Sequence, residues 1–188
     1  DCFTQLTEAY LSGKSNEYTD VLATEGFKAV KRSLIKCFTH DDINARTDMS
    51  FAALTSGICL ANAGLGAVHG LAGTIGAMFD IPHGVVCGTL MAVANEVNVR
   101  ELRKISADHP ALKKYANLGK TFSDFEGKDD NYYIDSFVDY LFGLTEQLQL
   151  PRLGIYGLKK NNVSLISSMT DIKNNPVKLL PDQLEEII

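Results

Sequence analysis

Apolar residues recur along this chain at spacings of three and four, the period of a helix buried along one face. Phe3, Leu6, Tyr10 and Leu11 make one such stripe, and Gly13 ends it. From about Thr19 to Phe38 the stripe is Val21, Leu22, Val30, Leu34 and Ile35, with Lys28, Lys31 and Arg32 opposite. A third helix starts at Asp41 or Asp42, both suited to accept hydrogen bonds from the first free N–H groups, and runs to about Asn62. Phe51, Ala52, Ala53, Leu54, Ile58 and Leu60 make its later part apolar nearly all round. That pattern predicts a helix in the middle of a bundle.

A further long helix follows His83 through Val85, Leu90, Met91, Ala94 and Val97 and emerges into charge at Arg100, Glu101, Arg103 and Lys104. Gly119 to Lys128 reads as a polar connection, tacked down by Phe122 and Phe125, and Tyr132 to Leu148 as a helix closed by Pro151. The tail alternates short helical pieces with turns at Gly154, Gly157, Asn161-Asn162 and Asn174-Asn175-Pro176, ending in a helix from Asp182 to Ile188. No alternating strand of useful length is present. The fold class is all-α, a helical bundle forming a single domain, 1–188, without internal repeats.

Composition narrows the function classes. The 188 residues, 45% hydrophobic and 22% charged, suit one sizeable core. Eighteen scattered basic residues against 23 acidic ones leave no basic stripe for nucleic acid and no patch for a membrane surface. No apolar run approaches the ~20 residues of a membrane span. Cys2, Cys37, Cys59 and Cys87 form no C-x-x-C pair and read as free thiols, buried or half-buried, of a reducing, cytoplasmic compartment.

The candidate chemistry lies in GAVHGLAGTIGAMFDIPHG, where His69 and His83 stand fourteen positions apart. Imidazole is the commonest metal ligand and titrates near neutral pH. On one continuous helix the two rings would be about 21 Å apart, far too distant for ligands each about 2 Å from one ion. Asp80-Ile81-Pro82 offers the necessary reversal, because proline disfavours a helical residue before it and suits the first turn after it. A helix from His69 to Met78 rises about 14 Å, and five extended residues return about 16 Å. Co-ligation is permitted, and two separate structural histidines are equally compatible with the spacing.

Gly66, Gly70, Gly73 and Ala77 leave one flank of the same helix almost bare. Close helix packing and approach of a ligand to the backbone both explain that pattern. His40 and His109, beside Asp41, Asp42, Asp108 and Pro110, read as surface groups.

The same run resembles the metal-site segment of the iron-containing (group III) alcohol dehydrogenases, a long motif opening on one histidine and closing on P-H-G. DCFTQLTEAYLSGKSNEYTDVLATEG resembles that family's D-A-L-T-H-A-I-E-A-Y-V-S segment and the helix after it, and LPRLGIYGL and NNPVKLLPDQLEEII resemble its C-terminal stretch. The resemblance implies the helical, dehydroquinate synthase-like C-terminal domain of such an enzyme. An N-terminal Rossmann-like domain would bind NAD or NADP, and a small alcohol, aldehyde or ketone would be the substrate.

The family's four ligands map onto Asp1, Gln5, His69 and His83, with iron or zinc as the implied divalent metal. Gln5 replaces an imidazole by a weaker amide donor. The family's further histidine, which approaches the nicotinamide, falls on Gly73. Three readings follow. One is a metal-dependent alcohol dehydrogenase in which the cation polarises the alcohol oxygen and His69 and His83 mark the reacting centre. Another is a metal-free reductase of the same superfamily, like maleylacetate reductase, with the imidazoles acting as acid and base. The third is a degenerate helical domain kept for assembly. Without a βαβ unit or a G-x-G-x-x-G loop, the isolated chain is expected to lack dehydrogenase activity. Apolar surface left for the nucleotide-binding domain would favour homo-oligomers.

Overall fold

A computed structural model describes all residues, 1–188, as nine α-helices and one 3-10 turn, with no strand. In chain order the helices are α1 (Cys2–Leu11), α2 (Glu17–Thr39), α3 (Ile43–Ala63), α4 (Ala67–Met78) and α5 (His83–Ile105). They continue with α6 (Pro110–Phe122), α7 (Asp130–Gln147), α8 (Lys160–Met169) and α9 (Pro181–Ile187); the 3-10 turn is Leu153–Tyr156.

Local chemistry starts and stops these elements. Asn16 and Thr19 cap α2 reciprocally, each side-chain oxygen accepting from the other's backbone N–H. The Asp42 carboxylate accepts from the N–H groups of Asn44 and Ala45 at the start of α3. Gly64, at φ +70°, ends α3 in a conformation that disfavours a side chain.

α1 is the centre of the bundle. Its residues from Phe3 to Leu11, Gln5 excepted, are buried, and it touches α2, α3, α4, α5 and α6. The α2–α3 and α6–α7 pairs pack as hairpins around it. Phe3 extends into an aromatic cluster with Phe27, Phe122, Phe137 and Tyr140, at centroid separations of 5.1–6.4 Å from its ring. Lys114 stitches α6 to the α1–α2 turn by donating to the Tyr10 carbonyl and Asp20.

Several sequence expectations need correction. On α2, Val21 is 65% exposed, and Ala23, Phe27 and Val30 take the buried face. Helix α3 is not buried all round: Phe51 and Leu54 are 47% and 67% exposed, whereas Ala45, Ala52, Cys59 and Ala63 face inward. Small side chains on that stripe let α3 lie close to α1 and α2, so its large apolar residues face outward. Gly119 to Phe122 belongs to helix α6, not to a connection. The Tyr133 carbonyl sits where a Cβ on Gly119 would be, which requires glycine at this helix crossing. Phe122 is in the core, but Phe125 is 64% exposed. Asn161-Asn162 lies inside α8, where the Asn162 side chain accepts from the Lys159 N–H and starts the helix instead of turning the chain.

The turn at Asp80-Ile81-Pro82 folds α5 back against α4, with Ile81 buried in the bend. No single helix is long and apolar enough to cross a membrane.

Candidate metal centre

Three helix N-termini converge on one corner of the bundle. Asp1 precedes α1, His69 stands in the first turn of α4, and His83 is the first residue of α5. The His69 and His83 ring centroids are 5.5 Å apart. Asp1 Oδ1 lies 3.1 Å from His69 Nε2 and 3.7 Å from His83 Nε2. The reversal at Pro82 therefore brings together the two histidines that a continuous helix would separate.

Glu8 supplies the cap that the α4 sequence lacks, since glycine occupies the N-cap position. One Glu8 oxygen accepts from the Val68 N–H at 2.7 Å; the other accepts from the His69 N–H at 3.3 Å and faces His69 Nδ1 at 2.7 Å. A carboxylate at a helix start also complements the helix dipole. Asn175 Oδ1 satisfies the adjacent Ala67 N–H.

This arrangement settles how His69 faces the site. Glu8 accepts from Nδ1–H, so Nε2 is the ring atom turned toward Asp1. Two acceptor atoms 3.1 Å apart, Nε2 and Asp1 Oδ1, need a proton or a cation between them. Burial disfavours protonation of His69, but hydrogen bonds to Cys87 and Glu8 and the Glu8 charge outweigh it and raise its pKa to about 9. For His83, burial and the neighbouring His69 act together and lower the pKa. The corner thus attracts positive charge, and it divides that charge unequally between its two imidazoles.

Gln5, one turn after Asp1, lies at the edge. Its amide nitrogen donates to Asp1 Oδ2 at 3.0 Å, while its oxygen accepts from Ser56 Oγ at 2.7 Å. The atom that would coordinate a metal is thus turned toward α3, and Gln5 fixes the orientation of Asp1. Cys87, one turn after His83 on the same face of α5, faces both rings. Its Sγ is 3.6 Å from His69 Nε2 and 3.4 Å from His83 Nε2.

Neither Glu8 nor Cys87 was singled out from the sequence as a site residue. The available signals were a carboxylate within the apolar run Leu6–Tyr10 and a cysteine four residues after His83.

The bare flank of α4 divides into two halves. A Cβ on Gly66 or Gly70 would meet Asn175 Oδ1 at 2.6 Å or the Asp171 carbonyl at 2.5 Å, so those glycines permit close packing. Gly73 is exposed with open space around its α-carbon, one turn beyond His69. Of the other histidines, His40 is exposed. His109 is half-buried and accepts from the Ala111 N–H to start α6.

The donor set fits a divalent transition metal. Ligand atoms of Asp1, His69, His83 and Cys87 all lie within 4.8 Å of one another, and imidazole, carboxylate and thiolate are the zinc and iron donor types. Beside them, against Asp1 and Gly84, a cavity of about 110 Å³ is walled by Met91, Leu141, Leu144 and Leu150.

The chain matches the model of the iron-containing alcohol dehydrogenase family, C-terminal region, over residues 1–188. It is 30% identical over 196 residues to an NADPH-dependent butanol dehydrogenase of Clostridium saccharobutylicum, covering 100% of this chain and 48% of that protein. It is also 30% identical over 194 residues to alcohol dehydrogenase 4 of Saccharomyces cerevisiae, with the same coverage of 100% and 48%. Among solved structures, an alcohol dehydrogenase from Oenococcus oeni superposes with a TM-score of 0.87 at 27% identity, covering 100% of this chain and 48% of that one. A 1,3-propanediol oxidoreductase shares the fold with a TM-score of 0.89 at 24% identity and again 100% and 48% coverage. The chain spans about half the length of the relatives it matches. It belongs to the iron-containing alcohol dehydrogenase family and corresponds to that family's all-helical C-terminal domain.

Proposed function

We propose that this chain is the metal-binding half of an NAD(P)-dependent alcohol dehydrogenase that interconverts an alcohol and an aldehyde or ketone by hydride transfer. The observation that carries this reading is the convergence of Asp1, His69 and His83 from three helix starts, with Glu8 fixing His69 through Nδ1. Asp1, His69 and His83 would hold the metal. When bound, a divalent iron or zinc ion supplies Lewis-acid polarisation of the substrate oxygen, and the nicotinamide gives or takes the hydride.

The chain's own residues supply placement and electrostatics. Glu8 and Gln5 keep His69 and Asp1 from rotating away, as partners behind metal ligands do. The carboxylates of Asp1 and Glu8 offset positive charge at the corner. The cavity walled by Met91, Leu141 and Leu150 suits the alkyl portion of a small aliphatic alcohol and excludes water from it. Gly73 leaves room for a nicotinamide ring to approach α4 beside His69. A preceding nucleotide-binding domain, homo-oligomer formation and a cytoplasmic setting complete the proposal, in keeping with the length of the relatives, the outward-facing Leu54 and Phe51, and four free thiols.

The test is NAD(P)H oxidation with short-chain aldehydes such as butanal, by the longer protein carrying this chain, together with its metal content. Stoichiometric iron or zinc, lost with turnover on His83→Ala, supports the reading. Undiminished turnover by metal-free protein overturns the metal's part in it. A specific observation would then favour the metal-free reductase: a proton shared between Asp1 and His69 also satisfies their 3.1 Å approach. Turnover by the 188 residues alone would overturn the assignment of nucleotide binding to another domain.

A further inference from the structure

The geometry points to Cys87 as a fourth protein ligand, a thiolate that takes the place Gln5 leaves open and makes this a sulfur-containing site. This inference rests on the metal-dependent reading above.

Four potential ligand atoms, Asp1 Oδ1, both Nε2 atoms and Cys87 Sγ, lie within 4.8 Å of one another. The cysteine is fully buried, so no solvent competes for the sulfur. A single S–H could satisfy only one of the two imidazoles it faces, at 3.4 and 3.6 Å.

Four of the six separations have the size of the edges of a tetrahedral site. Zn–S bonds of about 2.3 Å and Zn–N bonds of about 2.0–2.1 Å at tetrahedral angles put sulfur and nitrogen about 3.6 Å apart. The two observed Sγ–Nε2 distances, 3.6 and 3.4 Å, have that size. Nitrogen–oxygen edges of such a site are about 3.4 Å, and the observed 3.1 and 3.7 Å bracket that value. The Gln5 oxygen, by contrast, is engaged by Ser56. The set is therefore two imidazoles, one carboxylate and one sulfur, drawn from α4, α5 and the start of α1.

Sulfur coordinates as thiolate, with its proton released to solvent on binding. A thiolate makes the site softer than imidazole and carboxylate alone would. The exposed edge of the site at His83, whose side chain is 54% exposed, leaves a side from which a fifth ligand can approach.

The test is spectroscopic. The purified protein is loaded with Co²⁺ and its near-ultraviolet absorption recorded, and the Zn²⁺ form is studied by X-ray absorption. A sulfur-to-cobalt charge-transfer band and a Zn–S distance of about 2.3 Å are expected. Both should vanish in Cys87→Ser, with zinc affinity falling by at least the 10–100-fold that loss of an outer partner costs. Metal bound only through nitrogen and oxygen in the wild-type chain overturns the role of Cys87 and leaves the alcohol dehydrogenase reading standing. Failure of the wild-type protein to bind Zn²⁺, Co²⁺ or Fe²⁺ overturns both the role of Cys87 and the metal-dependent reading. The wild-type spectra decide the question even if the serine variant does not fold.

Discussion

Glu8 holds His69 by two atoms at once: its carboxylate accepts from the backbone N–H at 3.3 Å and lies 2.7 Å from Nδ1. One buried side chain thus caps helix α4 and fixes the rotation of its imidazole. Glu8→Gln removes the charge and sets an amide against donors that need an acceptor. Metal affinity should drop by about 10–100-fold, measured by competition with a chromophoric chelator. Unchanged affinity in a folded variant would show that His69 is oriented by packing alone.

Divalent metal should stabilise the fold, because a site assembled from three helix starts does not exist in the unfolded chain. At a free concentration 100 times the Kd the gain is about 2.7 kcal/mol, which for a domain of this size raises Tm by on the order of 5–10 °C. Differential scanning fluorimetry with Zn²⁺, then with excess chelator, reads the shift and its reversal. A Tm indifferent to metal would remove the structural case for a bound ion.

Two glycines on one helix should respond oppositely to the same substitution. In Gly70→Ala the new methyl meets the Asp171 carbonyl at 2.5 Å, and the cost should be about 1–3 kcal/mol. In Gly73→Ala nothing lies within 4 Å, and stability should rise by about 0.5–1 kcal/mol through helix propensity. Urea midpoints at constant m-value separate the two. Equal effects would show that the segment 170–172 does not press on α4 in solution.

Asp48 ties α3 to α2, receiving Arg32 through two bonds of 2.7 Å and Ser33 Oγ at 2.5 Å. The Arg32 hydrogen bonds, then that of Ser33, lower its pKa to about 2. A depressed carboxylate contributes stability that is present above its unfolded pKa, near 4, and lost as pH falls through the folded value. Stability from this pair should therefore decline between about pH 4 and pH 2. An NMR titration of the Asp48 carboxyl carbon tests it. A midpoint near 4 would show that the pair is open in solution.

The helices themselves were legible because their signals are local. Periodicity, Asp42 at the head of α3 and the Pro82 break before α5 each act within a few residues of the structure they produce. Chain reach and that break permitted the proximity of His69 and His83 without requiring it, and the fold supplies it. The end of helix α6 is hidden in the sequence because its glycine and polar residues mimic a connection, and only Tyr133 packing against Gly119 shows why the glycine belongs inside a helix.

By itself the sequence determined an all-helical chain, a reversal between two histidines and membership of a recognisable family, since these depend on residues near one another along the chain. Tertiary structure decided which side chains surround the histidines. Glu8 reaches His69 across sixty-one positions, and Gln5 reaches Ser56 across fifty-one. Cys87 meets His69 only because α5 folds back along α4. No local rule carries such contacts, because they arise from burying α1 among its neighbours, and that burial is a property of the whole core.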